Sequence, residues 1–218
     1  MSYGPAPWQQ KSWDWRAAGN FIDGGAGSGL IVFTALAGSQ GLASTILILA
    51  GLALIGFGLL CVWLEIGRPL RAPHVFFNPR TSWMTREAFT ATLLFPAGMV
   101  AAAGVPGFAW LAAVLAFAFL YCQSRMLQAA KGIPAWREPL LSLLMVLTGL
   151  AEGGGLFFLA DPLHGDGTEP LLVFFGALVL GRGLVWFAYR RRLAAIAVPR
   201  STRPAVHCNS QERCCRSR

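Results

Sequence analysis

Six ionisable side chains stand inside or at the edges of strongly hydrophobic segments: Asp23, Glu65, Glu87, Arg125, Glu152 and Arg182. Asn20 lies three residues before Asp23, which puts both on one helical face. A charge in hydrocarbon is expensive, so such residues face a bundle interior or a wet cavity and mark functional sites. The types present suit proton exchange and recognition of an oxygen acceptor: carboxyls take and give protons, and guanidiniums and amides donate hydrogen bonds. The chain lacks a nucleophile–base pair of the kind a membrane hydrolase would carry. Its three histidines, His74, His164 and His207, fall in connections or in the tail. Intramembrane b-type haem held by paired histidines is therefore not expected.

The elements that must position these groups are membrane helices. Of 218 residues, 55% are hydrophobic and 13% charged, against about 25% charged in a typical soluble domain. About 20 apolar residues cross the hydrocarbon, and six segments meet that length, approximately 18–38, 44–64, 87–105, 107–127, 139–160 and 170–190. The expected fold is an all-α bundle of six transmembrane helices. Residues 1–17 form an N-terminal segment, 18–190 the membrane domain, and 191–218 a basic tail without the composition of a packed unit.

Net charge of +8 follows loop number. Lys11 and Arg16 precede the first span; Arg68, Arg71, Arg80 and Arg86 lie between the second and third; Arg125, Lys131 and Arg137 surround the four-to-five connection; Arg190, Arg191 and Arg192 follow the sixth. The other connections hold no Lys or Arg, and the last of them carries Asp161, Asp166 and Glu169. By the positive-inside rule, both termini and the 65–87 loop are expected in the cytoplasm. The basic excess then reports topology, and no nucleic-acid partner is expected. With this topology Asp23, Glu65, Glu87, Arg125 and Arg182 all fall in the cytoplasmic half of the bilayer. At about 1.5 Å per residue their depths differ by little more than roughly 10 Å. Glu152 is the exception, past the middle of the fifth span and followed by Gly153, Gly154 and Gly155, where another helix can approach closely.

Five cysteines are present. Cys61 and Cys122, inside spans, read as small apolar residues. Cys208, Cys214 and Cys215 belong to the tail, with spacing that suits no metal site.

The loop EIGRPLRAPHVFFNPRTSWMTRE, residues 65–87, holds four arginines, two glutamates and three prolines. Gly67 and Pro69 end the second helix, Pro73 and Pro79 keep the segment extended, and Phe76, Phe77 and Trp83 suit an interfacial position. Thr81 or Ser82 caps the third helix. A segment so constrained reads as a docking surface or the wall of a pocket.

At this loop the chain resembles the membrane anchor subunits of DMSO reductase and polysulfide reductase, the DmsC/NrfD-like group. A Gly-x-Pro-x-Arg-Ala run follows the second helix and a Ser-x-x-x-Glu run opens the third. The stretches from Pro134 to Gly149 and from Leu180 to Tyr189 are similar to the DMSO reductase anchor as well. The resemblance implies a haem-free anchor that binds quinone (ubiquinone or menaquinone). It implies electron exchange with a ferredoxin-like iron–sulfur subunit, itself serving a molybdopterin catalytic subunit, in a bacterial inner membrane. The DMSO reductase anchor has about eight spans, and a histidine where this chain has Glu65. With a cytoplasmic loop, the chain looks like the short membrane subunit of phenylacetyl-CoA:acceptor oxidoreductase.

On this reading Asp23, Glu65 and Arg182 handle protons and charge. Asn20, Gly67, Arg68, Pro69, Trp83, Glu87 and Arg125 complete a quinone pocket, with no metal ligated by this chain. A small transporter is the competing expectation, and the halves of the chain do not mirror each other as paired broken helices would require.

Overall fold

The computed structural model describes residues 15–38, 40–65, 74–77, 79–130, 134–160 and 169–197. Among them are six α-helices: α1 Trp15–Ala37, α2 Leu42–Glu65, α3 Trp83–Ala102, α4 Phe108–Ala129, α5 Leu140–Leu159 and α6 Glu169–Ala197. Short 3-10 turns cover 74–77 and Pro134–Arg137. No strand occurs among the described residues. Five helices are long and apolar enough to cross a membrane. The sixth expected span, α3, falls outside that group, and its first half explains why: Thr85, Arg86, Glu87, Thr90 and Thr92 interrupt its apolar residues.

The helices run to and fro. α1 packs antiparallel against α2, because Gly27 meets Gly51 while Asn20 meets Gly58. α5 instead runs parallel to α1. Gly25 faces Gly149, Gly29 faces Gly153, and Phe33 stacks near Phe157 with ring centroids 6.0 Å apart, one turn per step. α6 returns along α5, with Leu147 beside Gly181 and Phe158 beside Phe175. The start of α1 and the end of α6 therefore lie at the same end of the molecule, where Phe21, Leu127, Leu141 and Tyr189 share one cluster. The alternation inferred from charge is thus present in the helix directions.

α1 is the axis of this arrangement. Thirteen of its 23 residues are buried, from Ala17 to Ala35. It is surrounded by α2, α4 and α5. Its small residues permit this. A Cβ added at Gly29 would stand 2.3 Å from the Gly149 carbonyl oxygen, and one at Gly153 would stand 2.2 Å from both the Gly29 carbonyl carbon and the Leu30 nitrogen. Without a hydrophobic force between helices in lipid, association rests on such backbone approach and the van der Waals contact that it allows. At the far end Phe33, fully buried, gathers Phe157, Phe158, Phe174 and Phe175. Cys61 and Cys122 are buried and free, as their positions inside spans indicated. α6 is peripheral, with Leu180 and Leu184 more than 70% exposed.

Gly153→Ala is expected to push α1 and α5 apart and lower stability by about 1–3 kcal/mol or more. Gly155→Ala is its control, since its nearest neighbour would be Phe175 Cζ at 4.0 Å. That substitution should be neutral or stabilising by up to about 1 kcal/mol. Thermal unfolding in detergent, followed by circular dichroism, checks both.

Candidate functional site

The polar residues gather at the end of the molecule where α1 begins. α3 opens at Ser82, whose backbone is extended and whose side-chain oxygen accepts the Thr85 N–H at 3.3 Å. This is a cap that the sequence offered, and it starts the helix four residues before the apolar span expected from 87. Thr85 Oγ1 donates to the Val75 carbonyl, and Arg86 donates through Nε to the Pro79 carbonyl at 2.9 Å and through Nη2 to the Arg80 carbonyl at 2.8 Å. These bonds fold the described parts of the loop back onto the first turn of α3. Phe76 packs edge-on against Phe89 at 5.1 Å, while Phe77 is 73% exposed.

Glu87 is the fifth residue of α3 and points inward, 4% exposed. Asn20 Nδ2 of α1 donates to Glu87 Oε1 at 3.5 Å, and Gln123 of α4 is a second side-chain hydrogen-bond partner of the carboxyl. Gln123 Nε2 also donates to the Asn20 carbonyl oxygen at 2.9 Å. Asn20 and Gln123 are buried to 1% and 0% exposure. Glycine makes the approach possible: a Cβ at Gly24 would stand 2.5 Å from Gln123 Nε2, and one at Gly58 would stand 3.2 Å from the Asn20 carbonyl oxygen. Three helices thereby converge on one carboxyl.

The cluster is not fully satisfied. Asn20 Oδ1 and Gln123 Oε1 are buried without a hydrogen-bond partner, and so is Arg125 Nε. Each such group carries a desolvation cost of about 1–3 kcal/mol, and its presence in a native site needs an explanation such as water, a ligand or a catalytic role. Trp83, one turn before Glu87, lies against two guanidiniums, with Arg86 Cζ 4.2 Å and Arg125 Cζ 5.1 Å from its ring centroid. Tyr121 meets the same ring edge-on at 6.0 Å. Arg125 also donates to Gln128 Oε1.

The remaining predicted residues divide. Asp23, half-buried, does not share the environment of Asn20; it is one of the charged neighbours of Glu152, and Arg182 is the other. Arg182, exposed on α6, donates through Nε to Thr148 Oγ1 of α5 at 3.1 Å. Glu152 is thus tied electrostatically to Asp23, although sequence depth set it apart. The reason is the parallel register of α1 and α5, which sets Glu152 about a turn above Asp23. Glu65 ends α2, and its side chain lies outside the described residues, as do Gly67, Arg68, Pro69 and the tail cysteines. The sequence reading missed Gln123. Its signal is an amide in the run FLYCQS of α4, of the same kind as Asn20 in α1.

The site offers one carboxyl for proton exchange, an uncommitted guanidinium N–H donor, two uncommitted amide oxygens and an indole wall. Such a set fits a planar molecule with carbonyl or hydroxyl oxygens. No family model matches the chain, and a comparison with curated proteins returns no match.

Asn20→Leu removes one donor to Glu87 and should cost about 1–3 kcal/mol. Adding Glu87→Leu should recover part of that loss, giving a coupling of about 0.5–3 kcal/mol in a double-mutant cycle. Unfolding by denaturant in micelles measures it; strict additivity would show that the pair is uncoupled.

Proposed function

We propose that this protein is a haem-free, quinone-reactive anchor in the cytoplasmic membrane of a bacterium. It would cross the membrane six times, with α3 as the additional span and both termini in the cytoplasm. Its partners would be a ferredoxin-like iron–sulfur subunit and, behind it, a molybdopterin catalytic subunit acting on a cytoplasmic substrate such as an acyl-CoA compound. The observation that carries this reading is the buried Asn20–Glu87–Gln123 cluster with its unpaired donor and acceptors, beside Trp83 at the basic end. The resemblance of the 65–87 loop to reductase anchors supports the choice of ligand.

A quinone bound there supplies two-electron, two-proton redox chemistry. The chain's own part is binding, orientation and proton handling. Arg125 Nε is a donor suited to one carbonyl oxygen. Asn20 Oδ1 and Gln123 Oε1 are acceptors suited to a hydroxyl hydrogen. Glu87 holds the exchangeable proton at a carboxyl oxygen, and Asn20 Nδ2 fixes that carboxyl in place. Trp83, held by Arg86 and Arg125, closes the site toward the loop and limits water. Asp23 and Glu152, the latter beside Arg182, are further carboxyls able to exchange protons between α1, α5 and α6.

Glu87→Gln keeps size and hydrogen bonding but removes the proton, and loss of a general acid or base costs about 10²–10⁴-fold in rate. Quinone-coupled turnover of the purified complex should fall by that range. Turnover with a soluble artificial acceptor, which draws electrons from the partner subunits directly, should stay within about twofold of wild type. Quinone-coupled turnover that survives Glu87→Gln would remove Glu87 from the site.

A further inference from the structure

α6 is the helix that the bundle covers least. It packs chiefly against α5, and Val173, Leu180, Leu184 and Phe187 are all more than half exposed. Steps of three or four residues place Val173, Gly176, Leu180, Leu184, Phe187 and Arg191 on one face of the helix. A Cβ added at Gly176 would meet nothing within 4 Å, so the face is hollowed there rather than filled. Hydrocarbon can cover its apolar residues, but it cannot serve the arginine at its end.

The helix has 29 residues, whereas about 20 cross the hydrocarbon. Its last turns therefore stand beyond the apolar layer, and three consecutive arginines occupy them. These arginines are not equivalent. Arg192 turns to α5 and pairs with Glu138 Oε1 at 2.8 Å. Arg190 and Arg191 are exposed and make no ion pair or hydrogen bond among the described residues. Arg191 lies over the Phe187 ring, with Cζ 4.3 Å from its centroid. Arg190 follows Trp186, which is half-exposed, by four residues. Indole rings on a membrane helix sit at headgroup level. The two guanidiniums, one turn of about 5.4 Å further on, reach the lipid phosphates. After Glu169 the helix holds no acid of its own, and Glu138 is already committed to Arg192. Guanidiniums bind phosphate through paired N–H groups, and juxtamembrane arginines are drawn to anionic leaflets.

We propose that this face of α6 seats an anionic phospholipid. Arg190 and Arg191 hold the headgroup phosphate, while Phe187, Leu184 and Leu180 carry an acyl chain along the helix. Charge selects this occupant. A second copy docked through the same face, with the same orientation in the membrane, would set its arginines against these; an anionic headgroup complements them. The proposal rests on α6 crossing a membrane and not on the quinone reading, since none of these residues belongs to the Glu87 cluster.

The full-length protein, delipidated in maltoside micelles, would be offered phosphatidylglycerol and phosphatidylcholine with identical acyl chains. Native mass spectrometry counts the lipids retained per chain. The expected result is a preference for phosphatidylglycerol. Each arginine is worth about fivefold, so Arg190→Gln with Arg191→Gln should lower that preference by about thirtyfold. The melting temperature should not change, because both side chains are exposed. Arg190→Lys with Arg191→Lys, which keeps the charge, should stay within about fivefold of wild type. Equal retention of the two lipids by wild type, or an undiminished preference in the double glutamine variant, overturns the proposal. Photoreactive phosphatidylglycerol gives a check on wild-type protein alone: labels are expected between Leu180 and Arg191, and labels confined to other helices overturn the proposal. A dimer by light scattering whose cross-links join α6 to α6 also overturns it, in favour of a second copy.

Discussion

Backbone-to-backbone contact between α1 and α5 is the constraint on which the rest of the structure depends. Gly25 and Gly29 meet Gly149 and Gly153 so closely that no side chain fits between the helices. Two parallel helices can pack this tightly only because both contribute glycine at the same turns. That contact sets α1 at the centre, and α2 and α4 then close around its other faces. It also fixes the vertical register that brings Asp23 and Glu152 near one another.

A central α1 lets one residue serve two neighbours. Asn20 gives its side chain to Glu87 of α3 and its carbonyl to Gln123 of α4. Gly24 and Gly58 open the space needed for this. A buried carboxyl without such partners would be strongly unfavourable. The cluster therefore couples the packing of four helices to the chemistry of one residue. Its remaining unpaired atoms mark where a ligand could complete it.

Much of this was legible in the chain. Apolar runs located all six helices, the first five to within about four residues at each end, while α6 continues seven residues past its expected end at 190. The glycines of α1 and α5 were visible, but their pairing was not, because parallel register between helices more than a hundred residues apart leaves no local signal. The same gap hid Glu152's relation to Asp23. Glu87 was visible as an ionisable residue and the Ser82 cap was legible, yet apolar length alone starts the span at 87, which put Glu87 at a helix end and hid its inward face. Gln123 is uncharged, and single polar residues in apolar helices are common enough to escape notice.

The account's central claim is that the Asn20–Glu87–Gln123 cluster is a quinone site, and covalent mapping tests it most directly. The intact membrane complex would be illuminated with a photoreactive quinone and digested, and the labelled peptides identified by mass spectrometry. The account predicts labels on α1 near Asn20, on α3 between Trp83 and Glu87 and on α4 near Gln123, all suppressed by excess unmodified quinone. Labels confined to α5 and α6, or none that unmodified quinone displaces, would contradict it.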